Sequence, residues 1–242
     1  FRHPSCSKQL ERGMCKNRDC LYPKPCRELY VDHSNYLDVL KQVRALPKVK
    51  KVFIRSGIRY DYLMADRDRT FIKELCANHV SGTLKVAPEH SSPEVLSYMH
   101  KPSIDVFTRF AKEYFRENDR LGKKQYLIPY LISSHPGSTL KDAVELAEFL
   151  NRYGFVPDQV QDFYPTPATL ATCMYYTEMN PFTGESVYVA KDMEEKKMQR
   201  ALIHYNRPEN YQLVKKALIK AGREDLINVL LPPQNRKGKK RR

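Results

Sequence analysis

Residues 34–175 predict an α/β fold built on a parallel sheet, and three observations carry that reading. Short apolar runs begin at residues 49, 83, 125 and 159. A helical pattern follows the first three of them, and every run ends in polar and turn residues. Strands spaced in this way with helices between them are βα units, whose crossovers are right-handed. Such units form an open sheet or an arc of a barrel, with functional residues just past the strand C-termini.

The elements follow in order. Residues 1–33 show no hydrophobic periodicity and carry Pro4, Pro23 and Pro25 with four cysteines. They predict an irregular segment pinned by something other than a core. Ser34 is placed to cap a helix whose inward face is Leu37, Leu40 and Val43, and Pro47 stops it. The first strand is expected at 49–55, leading into a helix over 67–79. The second, at 83–87, precedes helices over 93–100 and 104–118. The third, at 125–133, precedes a helix over 140–153 with Thr139 as cap, Ala143, Leu146, Ala147 and Leu150 inward, and Gly154 closing it. The fourth is expected at 159–164. Past residue 175 a connector holding Pro181 and Gly184 leads to two helices, over 192–205 and 208–221, with Gly222 after the second. The reading divides the chain into a segment 1–33, a barrel part 34–175, a helical extension 176–232 and a basic tail 233–242.

Composition limits the partners. Lys and Arg number 42 against 28 Asp and Glu, a net charge of +14. That balance favours polyanions through counterion release and makes RNA a candidate partner. Part of it sits in the tail at Arg236, Lys237, Lys239, Lys240, Arg241 and Arg242. There is no 18-residue apolar run and no secretory leader pattern. Six cysteines, four of them in the first 26 residues, do not read as a secreted disulfide scaffold. They predict a reduced, cytoplasmic setting.

Cys6, Cys15, Cys20 and Cys26 are candidate metal ligands, because soft thiolates on one coreless segment can wrap zinc or an iron–sulfur cluster and order it. The spacing is that of neither a zinc ribbon nor a CxxxCxxC loop, so the metal's identity stays open. Cys76 and Cys173 are expected to be packing residues. Phosphate loops (GxxxxGK[ST], GxGxxG), HExxH and GxSxG are all absent from the sequence. Nucleotide-loop, zinc protease and serine hydrolase readings lose their usual support.

Three segments, in order and each at an expected strand end, carry a resemblance. Residues 84–101, Leu-Lys-Val-Ala-Pro-Glu-His and onward to Lys101, resemble the strand-four segment of radical S-adenosylmethionine (SAM) enzymes. Residues 127–139, ending Ser-His-Pro-Gly-Ser-Thr, resemble the next strand and its Gly-Phe-Pro-Gly-Glu-Thr end. Residues 163–171, Phe-Tyr-Pro-Thr-Pro-Ala-Thr-Leu-Ala, resemble the sixth-strand signature Ser-Pro-x-Pro-Gly-Thr-x-Ala. With the cysteine spacing, Ile-Arg-Ser-Gly-Ile-Arg-Tyr-Asp at 54–61 and Gln-Val-Gln-Asp-Phe-Tyr-Pro at 159–165, the chain is similar to the YgiQ-type radical SAM proteins.

The resemblance implies strands three to six of a partial (βα)6 barrel. It also implies SAM and a [4Fe–4S] cluster whose reductive cleavage of SAM gives a 5′-deoxyadenosyl radical. The CxxxCxxC loop that holds such a cluster is not in this sequence. The chain is therefore expected to be a C-terminal fragment starting after strand two, inactive alone, with an unpaired edge at 49–55 that invites association. By the same resemblance Glu89 and His90 approach the ribose and amino acid part of SAM, and Lys101 its carboxylate. His135, Pro136 and Gly137 form the turn after strand five, and Tyr164 and Ala168 line the adenine side. Ser138 stands where relatives carry a Glu. Arg55, Arg59 and Asp61 are open between an ion-pair network and a functional role. The reaction and substrate are unassigned. Rival readings are a non-catalytic, metal-stabilised RNA-binding module and an enzyme whose basic surface recruits an RNA substrate.

Overall fold

A computed structural model describes residues 6–13, 15, 18–158 and 160–231. The basic tail at 233–242, Pro4 and Gln159 lie outside the described residues. In chain order the elements are α1 (Ser7–Arg12), α2 (Ser34–Ala45), α3 (Tyr60–Ala65), α4 (Thr70–Glu74) running into a π-turn (Leu75–His79), and β1 (Thr83–Glu89). There follow α5 (Pro93–Tyr98), α6 (Ile104–Arg120), β2 (Tyr126–Ser133), α7 (Leu140–Tyr153), β3 (Val160–Asp162), α8 (Leu170–Thr177), α9 (Met193–Ile203), α10 (Tyr211–Lys220) and α11 (Ile227–Leu230). The fold is mixed α/β around a three-stranded sheet of order β1-β2-β3. Strands β2 and β3 run parallel, with Leu131 opposite Val160 and Ser133 opposite Asp162.

The chain forms two compact units. The first comprises 1–88 and 100–129, the second 89–99 and 130–242. It passes from one to the other directly after Pro88 and again after Pro129, residues that cannot donate to the strand ladder.

In the first unit the core is aromatic. Tyr60 at the start of α3 meets Phe107 and Phe110 of α6 at 5.6 and 5.9 Å between ring centres, and Phe110 stacks on Tyr114. The expected single helix at 67–79 is instead a short α-turn that widens into the π-turn. Widening frees carbonyls, which need other donors. Lys123 Nζ donates to Cys76 O and to Ala77 O, and Gln125 Nε2 donates to Cys76 O at 3.0 Å. Cys76 is fully buried, as expected of a packing residue, and burial pushes its thiol up to about 12. Cys173 is exposed, which corrects its reading as a packing residue.

The strand expected at 49–55 is not formed. The segment is extended but is held by single contacts, Ile54 N–H to His79 O at 2.9 Å and a lone parallel bridge between Ile58 and Val86. Only Val49, Val52 and Ile54 are partly covered, and Lys51, Phe53 and Arg55 face outward. Too little of the run is buried to hold a ladder, so three strands replace the four expected. The sheet therefore does not establish a (βα)6 barrel arc. A helix at α1, in the segment expected to be irregular, buries no residue.

In the second unit α7 follows the sequence closely. Thr139 and Asp142 form a reciprocal capping box, and Gly154 ends the helix in the left-handed region at φ 68°. One face of α7, Ala143, Val144 and Ala147, joins Met198, Ala201 and Leu202 of α9, Val214, Ala217 and Leu218 of α10, and Leu230 of α11 in a single buried cluster. The C-terminal helices thus share a core with the βα part of the chain.

Leu202 is completely buried in that cluster. Leu202→Ala should cost about 2–5 kcal/mol through lost burial and the cavity left behind. Urea unfolding should show the loss, and Leu10→Ala, on the exposed α1, should leave the midpoint unchanged.

Candidate functional site

The turns that follow β1 and β2 are built on unfavourable backbone. Glu89 closes β1 at φ 68° and Ser134 follows β2 at φ 57°, a region that side chains with a Cβ rarely adopt. Ala168, beyond β3, has φ 64°. Gly137 sits at φ 88°, and a Cβ there would lie 2.2 Å from Tyr98 Cδ2. Only glycine lets this turn press onto the Tyr98 ring.

Beneath the turns lies a polar network. Ser92 N–H donates to His90 Nδ1 at 3.0 Å, which leaves the proton on Nε2, 3.5 Å from Ser138 Oγ. Ser138 Oγ donates to Gln199 Oε1 at 3.0 Å, and Gln199 Nε2 donates back to Ser138 O at 2.9 Å. Ser134 N–H reaches the same Gln199 oxygen at 3.2 Å. Ser92 Oγ donates to Asp142 Oδ1 at 2.6 Å, tying the turn after β1 to the α7 cap. Burial pulls the His90 imidazole down to about 4, with Asp142 opposing and His135 assisting. His135 donates from Nδ1 to Pro136 O at 2.8 Å and meets Phe163 edge-on at 5.1 Å. Burial lowers its pKa, against the raising effects of the Pro136 carbonyl and of Glu89.

These positions differ in what they expose. His90, His135, Pro136 and Gly137 are buried, so they support the turns instead of lining an open surface. Glu89 is half-buried, while Tyr164 and Ala168 are exposed. Lys101 is half-buried and belongs to the other unit. Two hydroxyls that sequence reasoning passed over, Ser91 Oγ and Ser134 Oγ, are buried without a hydrogen-bond partner among the described residues. Leaving such a group unpaired costs about 1–3 kcal/mol. Gln199 and Asp142 were also missed, since a helical glutamine and a capping aspartate carry no sequence mark of a strand-end role.

The cysteine segment is anchored in the first unit. Asp19 accepts from His100 Nδ1 at 2.7 Å, Tyr22 stacks on the same imidazole at 5.1 Å, and Cys26 N–H donates to Cys20 O at 2.8 Å. The Cys20 thiol is pushed up by burial first, then by Cys26, Cys6 and Cys15, so those three thiols lie within electrostatic reach of Cys20. Among the described residues, no three His, Cys, Asp or Glu side chains are arranged to hold a metal. A metal here would have to draw the sulfurs together.

The first unit also holds a cavity of about 660 Å³ between α2 and α3, lined by Tyr30, Asp38, Arg59, Tyr62 and Phe71 among others. Arg59 donates twice to Asp61, at 2.9 and 2.6 Å, and lies over the Tyr62 ring at 5.0 Å. Arg59, held by Asp61, therefore forms part of the wall of this cavity. Arg55, the third residue of that question, is exposed.

Residues 158–241 match a domain of unknown function, DUF3362. Over 227 residues, 94% of this chain, a UPF0313 protein of Clostridium botulinum strain 657 is 57% identical, and the match covers 36% of that relative. UPF0313 proteins of Clostridium perfringens strains SM101 and 13 are each 58% identical over the same share of the chain and 34% of their own length. The chain is similar to these UPF0313 proteins and spans about a third of their length. No helix among the described residues is long and apolar enough to cross a membrane.

Two outcomes follow from the buried turns. His90 stays neutral in the fold down to about pH 4, whereas an unfolded histidine protonates near 6.5. Its contribution is therefore full above pH 6.5 and is lost as pH falls towards 4, by about 3 kcal/mol at the acid end. Urea midpoints measured between pH 7 and 4.5 should fall, and less steeply in His90→Asn, which keeps an acceptor for Ser92 N–H. Gly137→Ala should lower stability by roughly 2 kcal/mol or more. Tyr98→Leu in the same chain should recover the steric part only, as read by thermal unfolding.

Proposed function

We propose that this chain is part of a UPF0313 protein that acts as a radical SAM enzyme, and that the turns after β1 and β2 form one wall of its SAM site. The observation that carries the reading is the pair of buried, unpartnered hydroxyls, Ser91 Oγ and Ser134 Oγ. They stand in the two strand-end turns where the sequence resembles the SAM-contacting segments of radical SAM proteins. A polar ligand docked there would supply the missing partners. The left-handed backbone of Glu89 and Ser134 is the kind of strain that accumulates at ligand-binding turns.

The residues fit the polar end of SAM but not the cluster. Glu89 is the accessible carboxylate, placed to accept from the amino group or ribose of the ligand. His90 and His135, held by Ser92, Ser138 and Pro136, position the turns and do not touch the ligand. The sequence holds no CxxxCxxC, and no step is assigned to a cluster held by this chain. In the whole protein such a cluster supplies reductive cleavage of SAM. The +14 charge favours a polyanionic substrate such as RNA.

The test uses the full-length protein, loaded anaerobically with iron and sulfide. It should form 5′-deoxyadenosine from SAM under reduction, and Glu89→Ala should weaken SAM binding about tenfold, or about 1.4 kcal/mol, with unchanged thermal stability. A loaded protein that never cleaves SAM, or a Glu89→Ala variant of unchanged affinity, overturns the reading.

A further inference from the structure

The region matched by the domain of unknown function contains a feature that the strand-end reading does not use. Arg200 lies in the last turn of α9, and His204 and Arg207 follow in the turns just past its end. They line a cavity of about 380 Å³ with Tyr130, Asp158, Val160 and Gln161. None of these residues belongs to the network around His90.

Each basic group has capacity to spare. Arg200 Nη1 donates to Asp162 Oδ2 at 2.6 Å, and that carboxylate also accepts from Ser133 Oγ. Arg207 Nη2 donates to Asp158 O at 3.2 Å. A guanidinium carries more donors than this in a planar fork, so both retain N–H groups for a ligand. His204 is 5% exposed and lines the cavity. The His204 carbonyl already accepts from Arg207 N–H and Asn210 Nδ2, both at 3.0 Å.

We propose that this cavity is an oxyanion site for a phosphate group, held bidentately by Arg200 and Arg207 with His204 as a third donor. Planar guanidinium forks match phosphate oxygens, and paired arginines beside a buried imidazole form a charge-assisted set of donors. The cavity is large enough for a phosphate carried on a sugar. The cavity is also lined by Tyr130, whose hydroxyl donates to Gln161 Oε1. Electrostatics agrees with the geometry. Desolvation lowers the His204 pKa, Arg207 and Arg200 lower it further, and Glu209 and Asp158 oppose them. A bound dianion would reverse that balance and favour the protonated, donating imidazole. The phosphate can be free or monoester phosphate, or a nucleic-acid phosphodiester, and the chemistry at the arginines is the same.

The experiment follows the His204 ring proton of this chain by NMR across pH, with the signal assigned through His204→Gln. Inorganic phosphate should raise the His204 pKa saturably in the unaltered chain. Arg207→Gln should weaken that response tenfold or more, and Arg223→Gln, whose arginine pairs with Glu148 and Asp225, should not. A single-stranded RNA oligonucleotide added in a second arm separates the sources. If it moves the same signal and phosphate competes with it, the site serves nucleic-acid phosphates. If only inorganic phosphate acts, it serves free or monoester phosphate. A His204 signal unmoved by phosphate in the folded chain, or an Arg207→Gln variant responding as the unaltered chain does, overturns the site.

Discussion

Two parallel strands that end inside a protein bring their last polar groups into a place where water cannot reach them. Every such group needs a protein partner, or it costs more than an average hydrogen bond returns. In the second unit the turns after β1 and β2 meet this demand through one chain of donors and acceptors, from Ser92 N–H through His90 and Ser138 to Gln199. The direction of the chain is set at its start. Because the Ser92 amide occupies Nδ1 of His90, the proton sits on Nε2, and Ser138 must accept from it and donate onward. Low local dielectric strengthens each link and holds His90 neutral. The two hydroxyls left out of the chain, Ser91 and Ser134, are therefore more conspicuous than any of those included.

The same turns depend on two backbone conditions. Gly137 packs its bare Cα against Tyr98 of α5, bringing the turn after β2 onto the helix that follows β1. Gly137 N–H also donates to Tyr188 O at 2.7 Å, so the connector after α8 is drawn to the same point. Glu89 and Ser134, without a glycine's freedom, hold φ values that cost about 1–3 kcal/mol each. Such residues persist where the surroundings over-determine them. Here the surroundings are the Ser92 to Asp142 bond and the capping box of α7.

Gln199 links this network to the C-terminal helices. It lies on α9, whose neighbours Met198, Ala201 and Leu202 pack on α7. Anything that shifts α9 shifts the partner of Ser138 and Ser134. The next residue along, Arg200, faces the other way into the basic cavity, and its guanidinium is held by Asp162 at the end of β3. One helix thus supplies an apolar seam, a buried amide and a cationic edge, each from a different side.

How much of this the sequence determined depends on whether a feature is local. The helix 140–153 was legible to the residue because Thr139, the inward Ala143, Leu146, Ala147 and Leu150, and Gly154 act within one turn of themselves. Strands β1 and β2 were legible because their buried residues alternate. The run at 49–55 has the same apolar look but no strand, because a strand exists only if a neighbour offers it a ladder, and this one is offered a single carbonyl at His79. Glu89, His90 and His135 were legible as strand-end residues. The burial of His90 was not, since it rests on a network that runs through Ser92 to Asp142 and through Ser138 to Gln199, far along the chain. The spacing of Arg200, His204 and Arg207 is written in the sequence. Only the tertiary structure brought Tyr130 and Gln161 to the same cavity, because hydrogen-bond satisfaction and empty volume belong to the whole fold and not to any stretch of it.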